Sequence, residues 1–150
     1  MLEVLDRAPR SASDKPPILF VHGAWHGAWC WDEHFLDYFA EKGYRSVALS
    51  LRGHGNSTAP KSMRFCSIAD FVDDIDTVAK SLPEPPVVIG HSLGGFVVQK
   101  YLESHEAPAA VVLNCNVVVV AAPLTPTTLA VTRVVTHGAA ESSPALARLT

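Results

Sequence analysis

A chain of 150 residues, 48% of them hydrophobic, has the length of one domain. A domain of that size buries roughly 70% of the surface its extended chain exposes. Charged residues make up 18% of the chain, against an average of about 25%, which excludes a chain disordered throughout. The net charge of -3 gives no basic footprint for nucleic acid or for an anionic membrane.

Cys30, Cys66 and Cys115 are widely spaced and form no Cys-x-x-Cys. That pattern fits free thiols in a reducing compartment better than a disulfide framework. Residues 1–10 alternate apolar and charged side chains and lack the apolar centre of a signal peptide. The expected location is cytoplasmic. The most apolar stretch, 107–122, is too short to span a bilayer and carries Asn114 and Asn116, so no membrane span is expected.

In chain order, residues 2–5 suggest a short strand and 7–17, rich in Arg, Ser, Asp and Pro, a connector. Residues 18–21 are continuously apolar, as in a strand buried on both faces. The spacing of Phe35, Tyr38 and Phe39 predicts one helix over 32–42, with Asp32 as its cap and Gly43 as its stop. A strand is expected over 44–51 and a turn-rich loop over 52–57. Ser67 and Asp70 form a capping-box pattern, followed by Ile68, Phe71, Val72, Ile75, Val78, Ala79 and Leu82 at helical spacing until Pro83. Asp70, Asp73 and Asp74 read as the solvated acids of that helix. A buried strand at 87–89, a helix over 93–106 and a third buried strand at 110–113 complete the alternation. No internal repeat is evident. The order argues for an α/β fold: a mostly parallel sheet between helical layers, α/β/α.

The chemistry concentrates in Gly90-His91-Ser92-Leu93-Gly94, a Gly-x-Ser-x-Gly between a buried strand and a helix. A sharp strand-to-helix turn there holds the serine strained and exposes its hydroxyl, and the glycines remove side chains that would clash. The bland alternative is a helix N-cap serine. The Leu93 N–H lies at a helix N-terminus, where it suits developing negative charge. An acyl-transfer oxyanion needs a second donor, and the loop His22-Gly23-Ala24-Trp25-His26-Gly27-Ala28-Trp29 can supply it through the Ala24 N–H. Both segments follow strands, and open α/β sheets place ligands beyond the carboxyl ends of their strands.

On these motifs, together with Arg52-Gly53-His54-Gly55-Asn56-Ser57, residues 16–115 resemble the N-terminal half of an α/β-hydrolase-fold serine hydrolase. The loop after residue 21 is similar to that of plant methylesterases and hydroxynitrile lyases. The resemblance implies a truncated α/β-hydrolase fold with Ser92 as nucleophile and Ala24 and Leu93 as backbone oxyanion donors. Trp25 is the candidate substrate contact. A small-molecule ester or lipid is the implied substrate, with no cofactor and no metal. His22, His26 and His34 are not gathered as a zinc site, because Gly23 and Gly27 argue against a helix there. Core packing competes with a pocket role for Trp29 and Trp31.

The family's triad runs serine, acid, histidine in chain order. No aspartate follows Asp76, and the acids beyond Ser92 are Glu103, Glu106 and Glu141. The later histidines are His105, beside the first two glutamates, and His137, which precedes Glu141. The position after the last buried strand reads Asn114-Cys115-Asn116. Residues 1–120 are therefore expected to form the N-terminal part of the core, and 121–150 an irregular tail resembling the start of a cap. The chain is expected to be a fragment, nearly inactive alone, and prone to self-association through a sheet edge beside Val117–Val120. Two other functions remain open: a non-catalytic binding protein of the same fold and a hydroxynitrile-lyase-like enzyme. An epoxide hydrolase is disfavoured, since those members of the fold carry an aspartate where Ser92 stands. A Rossmann-type protein is disfavoured because no Gly-x-Gly-x-x-Gly follows a strand.

Overall fold

A computed structural model describes residues 1–60 and 62–113. Five strands, β1 (Val4–Arg7), β2 (Ile18–Val21), β3 (Ser46–Leu49), β4 (Val87–His91) and β5 (Ala110–Leu113), form one sheet in the order β1-β3-β2-β4-β5. Strands β2 to β5 are parallel, and β1 pairs antiparallel with β3 at the edge. The helices are α1 (Trp29–Asp32), α2 (Phe35–Glu41), α3 (Ile68–Ala79) and α4 (Leu93–Leu102). A single 3₁₀ turn, Met63–Phe65, precedes α3.

The apolar run of β2 explains the three layers. Successive strand side chains point to opposite faces. Leu19 and Val21 pack with Phe71, Ile75, Val97 and Val98 of α3 and α4. Ile18 and Phe20 pack on the other face with Trp31 and Leu36 of α1 and α2. All four β2 residues are buried, so the strand needs a helical layer on each side.

The helix expected over 32–42 is broken in two. Trp31 and Leu36 are five residues apart, about 140° around a continuous helix. With the break at residues 33–34 both side chains are buried in the cluster that includes Phe20. Asp32 therefore ends α1 instead of capping a helix, and its carboxylate takes the Arg7 guanidinium at 2.6 Å. Gly43 ends α2 as expected, at φ +87°.

The first strand starts two residues later than expected, at Val4. Ser67 and Asp70 close a true capping box: the Ser67 hydroxyl accepts the Asp70 N–H, and the Asp70 carboxylate accepts the Ser67 N–H. Helix α3 stops at Ala79, short of Leu82, and α4 stops at Leu102, short of residue 106. The expectations for Asn114, Cys115, Asn116, the valine run 117–120, the tail 121–150, His137 and Glu141 lie outside the described residues.

Candidate active site

Ser92 stands between the last residue of β4 and the first of α4, at φ +52° and ψ -116°. A side-chain-bearing residue in this region carries about 1–3 kcal/mol of strain, which the surroundings must hold in place. Close approach of the backbone does so. A Cβ on Gly90 would lie 2.6 Å from the Gly94 carbonyl carbon, and one on Gly94 would lie 2.5 Å from the His22 carbonyl oxygen. Each glycine lets one segment of the turn press against another. The Ser92 N–H donates to the Leu113 carbonyl at 2.9 Å, so the end of β5 also braces the turn. The Ser92 side chain makes no cap hydrogen bond to α4, which sets aside the N-cap reading and leaves the hydroxyl free of that duty.

The loop after β2 lies against this turn. A Cβ on Gly23 would be 3.2 Å from Ser92 Cβ and 3.0 Å from His91 Nδ1. Glycine at 23 thus brings the loop backbone into direct proximity with the serine. Ala24 follows it, half-buried, and Trp25 then turns outward at φ +64° with 87% of its surface exposed. Trp29, more than half exposed, packs its ring against His26 with centroids 5.7 Å apart. Trp31 instead sits in the core on Phe20. The two tryptophans left open between pocket and core thus divide.

The histidines of the region do different work. His22 is fully buried. Its Nε2 accepts the Leu51 N–H at 3.0 Å, so Nδ1 carries the proton and donates to the Gly23 carbonyl at 2.7 Å. Burial is the main cause that pulls its pKa down to about 4. His26 pairs through Nδ1 with the Ala24 carbonyl at 2.9 Å. His91 is half-buried, and burial together with nearby His26 lowers its pKa. No histidine hydrogen-bonds the Ser92 hydroxyl among the described residues, and no group of three His, Cys, Asp or Glu there is placed to hold a metal ion.

The loop at 52–57 is pinned from two sides. Arg52 lays its guanidinium on Asp74, with Nη2 at 2.7 Å and Nε at 2.9 Å from Oδ1, and its backbone N–H donates to Oδ2 at 2.8 Å. Asp70 takes Nη1 at 3.1 Å. Asp74 is 3% exposed, so the reading of all three helix acids as a solvated face fails for this one. The buried pairing spans 22 residues of sequence, a separation at which no local pattern operates. On the other side the Glu3 carboxylate accepts from the Ser50 hydroxyl and from the Asn56 side chain and backbone. These hydrogen bonds, Ser50's first, hold the Glu3 pKa below its ordinary value. Glu3 and Ser50 are not singled out by the sequence, and Asn56 enters there only as part of the 52–57 motif. No periodicity marks them.

The structure thus sets a strained serine at a strand-to-helix turn beside a glycine-bearing loop at the carboxyl end of the sheet. Residues 18–149 match the alpha/beta hydrolase family. The chain belongs to it. Among curated members, alpha/beta hydrolase relatives include Protein phosphatase methylesterase 1 of Bos taurus, 32% identical over 69% of this chain and 28% of that protein. Epoxide hydrolase 1 of Caenorhabditis elegans is 33% identical over 71% of this chain and 26% of that protein. Methylesterase 18 of Arabidopsis thaliana is 31% identical over 52% of this chain and 30% of that protein. Among solved alpha/beta hydrolase structures, an epoxide hydrolase from Vigna radiata superposes with a TM-score of 0.66 at 28% identity, covering 75% of this chain and 34% of that one. The thioesterase domain from the curacin biosynthetic pathway superposes at 0.64 and 26% identity, over 75% and 41%. The chain thus spans less than a third of the length of these curated relatives.

Proposed function

We propose that this alpha/beta hydrolase chain carries the nucleophile half of a serine hydrolase site for carboxylic esters or lipids. In this reading Ser92 Oγ attacks the ester carbonyl carbon. The bond from the carbonyl carbon to the alkoxy oxygen breaks, the alcohol leaves with the proton that the serine gives up, and an acyl-enzyme remains on Ser92. The Ala24 and Leu93 N–H groups stabilise the oxyanion, and Trp25 lies against the substrate. The observation that carries the reading is the left-handed Ser92, pressed against Gly23 at the carboxyl edge of the sheet.

The epoxide hydrolase names among the relatives do not change the reading. Covalent epoxide opening in this fold uses a carboxylate at the elbow, and residue 92 has a hydroxyl. The serine must lose a proton as it attacks. His22 is unsuited to take it, because both ring nitrogens are engaged by backbone. The acyl-transfer base is therefore assigned to no described residue, and 1–150 alone is proposed to react slowly. Removing triad members elsewhere costs about 10⁴ to 10⁶ in rate, with residual catalysis from the oxyanion hole.

Intact mass after incubation with a fluorophosphonate tests this. The expected result is slow, stoichiometric labelling that Ser92→Ala abolishes. Labelling within minutes means a base that 1–150 does supply. An adduct that persists in Ser92→Ala, or none after a day on folded chain, overturns Ser92 as nucleophile. Product analysis with cyanohydrins against esters separates the hydroxynitrile-lyase reading. Ligand binding without any Ser92 adduct marks the non-catalytic one.

No helix among the described residues is long and apolar enough to cross a membrane. Cys30 and Cys66 are both free thiols. We propose a reducing, cytoplasmic setting from the sparse, widely spaced cysteines of the sequence.

A further inference from the structure

The loop that would supply an oxyanion donor is tied at its far end to a carboxylate just before the edge strand β1, two strands away at the same end of the sheet. The Ala28 N–H donates to Ser50 Oγ at 2.8 Å, and that same hydroxyl donates to Glu3. Ser50 is buried, so this hydroxyl has its donor and acceptor roles both assigned by protein. Glu3 also accepts the Asn56 backbone N–H at 3.0 Å and the Asn56 side-chain amide. Its own backbone closes the knot: the Glu3 N–H donates to Ser57 Oγ at 2.8 Å, and the Ser50 N–H donates to the Glu3 carbonyl at 2.9 Å.

Two glycines, one from each loop, make room for this knot. A Cβ on Gly27 would lie 3.1 Å from Ser50 Oγ, and one on Gly55 would lie 2.5 Å from it. Gly55 also adopts φ +52°. At positions 27 and 55 neither loop carries a side chain, which leaves the space to the Glu3–Ser50 pair.

We infer that Glu3 is a positioning residue for the site: through Ser50 it holds the loop at 23–28, and through Asn56 the loop at 52–57, against the carboxyl edge of the sheet. This rests on the proposed role of the Ala24 N–H. The loop is thereby held at both ends, by His22 on the Gly23 carbonyl and by Ser50 on the Ala28 N–H. A donor fixed in advance of reaction stabilises developing charge without reorganising when the charge appears. A hydrogen bond to a charged acceptor is also stronger than a neutral one.

The test combines amide hydrogen exchange with the rate of Ser92 phosphonylation, on 1–150. The variants are Glu3→Ala, Glu3→Gln and Ser50→Ala, with Asp6→Asn as control. Asp6 lies on the same edge strand and pairs with Arg45, away from the knot. Glu3→Ala and Ser50→Ala are expected to speed exchange at Ala28 about tenfold, the scale of one lost hydrogen bond. Exchange at Phe20 and Ile89 in the central strands should be unchanged. Phosphonylation at saturating probe should fall with little change in the concentration for half-maximal rate. Glu3→Gln retains an oxygen for Ser50 but sets one amide against that of Asn56. It should preserve Ala28 and loosen only Asn56. Asp6→Asn should leave all readouts as in the parent.

Unaltered Ala28 exchange in Ser50→Ala, or an equal effect from Asp6→Asn, overturns the inference. So does loosened Ala28 with an undiminished phosphonylation rate. If Glu3→Ala does not fold, Ser50→Ala carries the same test with the charge retained. Should the parent give no Ser92 adduct, the serine-hydrolase reading fails, while exchange at Ala28 and Asn56 still decides whether Glu3 holds the loops.

Discussion

His22 shows how one buried side chain sets the geometry of a neighbouring peptide. Its two ring nitrogens face one donor and one acceptor, which leaves a single neutral tautomer able to satisfy both. With its folded pKa at about 4 against an ordinary value of 6.5, the unfolded chain binds the extra proton first as pH falls. Stability should therefore be complete above about pH 6.5 and decline as pH falls toward 4, by up to about 3 kcal/mol. Urea midpoints at pH 7 and pH 5 measure this. A midpoint that drops as steeply in His22→Gln as in the parent would assign the acid sensitivity elsewhere. Ser92 permits a second residue-scale prediction. Alanine at 92 keeps the left-handed strain and glycine relieves it, so Ser92→Gly should be more stable than Ser92→Ala by about 1 kcal/mol in the same assay.

At the scale of elements, the site depends on how closely β2, β4 and α4 approach one another. Gly94 stands where α4 meets the β2 backbone, with His22 and Val21 carbonyls in the way of any Cβ. Backbone cannot give as a flexible side chain does, so Gly94→Ala should cost about 3 kcal/mol or prevent folding. The denaturant midpoint checks it, and a neutral substitution would mean the helix shifts freely on the sheet. Helix α3 is fastened to the 52–57 loop by Arg52 and Asp74. Removing the buried carboxylate leaves a largely buried guanidinium with Asp70 as its one remaining ion-pair partner among the described residues. Asp74→Ala should cost about 3 kcal/mol. If instead the loss is below 1 kcal/mol, water reaches the guanidinium and the pair is a surface feature.

For the whole molecule, the two sheet edges differ. The β1 edge is lined with ion pairs, Arg45 to Asp6 and Arg7 to Asp32, each at 2.6 Å. Charges on an edge discourage pairing with another chain. Strand β5 is the opposite edge among the described residues and is apolar throughout. We propose that the 150-residue chain self-associates through that edge. Sedimentation velocity across a concentration series tests this, and a monomer at every concentration would mean that the β5 edge is covered.

Much of this was legible from sequence because it is local or periodic. The continuous apolar run at β2, the capping box at Ser67 and the Gly-x-Ser-x-Gly turn each act within a few residues. Their backbone outcome follows from sterics and hydrogen bonding nearby. Strand and helix type, the alternation that makes the sheet parallel, and the placing of Ser92 at a strand-to-helix turn were therefore determined by the sequence itself. Tertiary structure alone decided the rest. It split the helix at residues 33–34, because Trp31 and Leu36 are both buried in the one cluster around β2. It buried Asp74, because Arg52 arrives from a distant loop. It also joined Glu3 to Ser50 and Asn56, 47 and 53 residues away. Contacts at such separations leave no periodic trace in the chain, since only the closed sheet brings the partners within hydrogen-bonding distance.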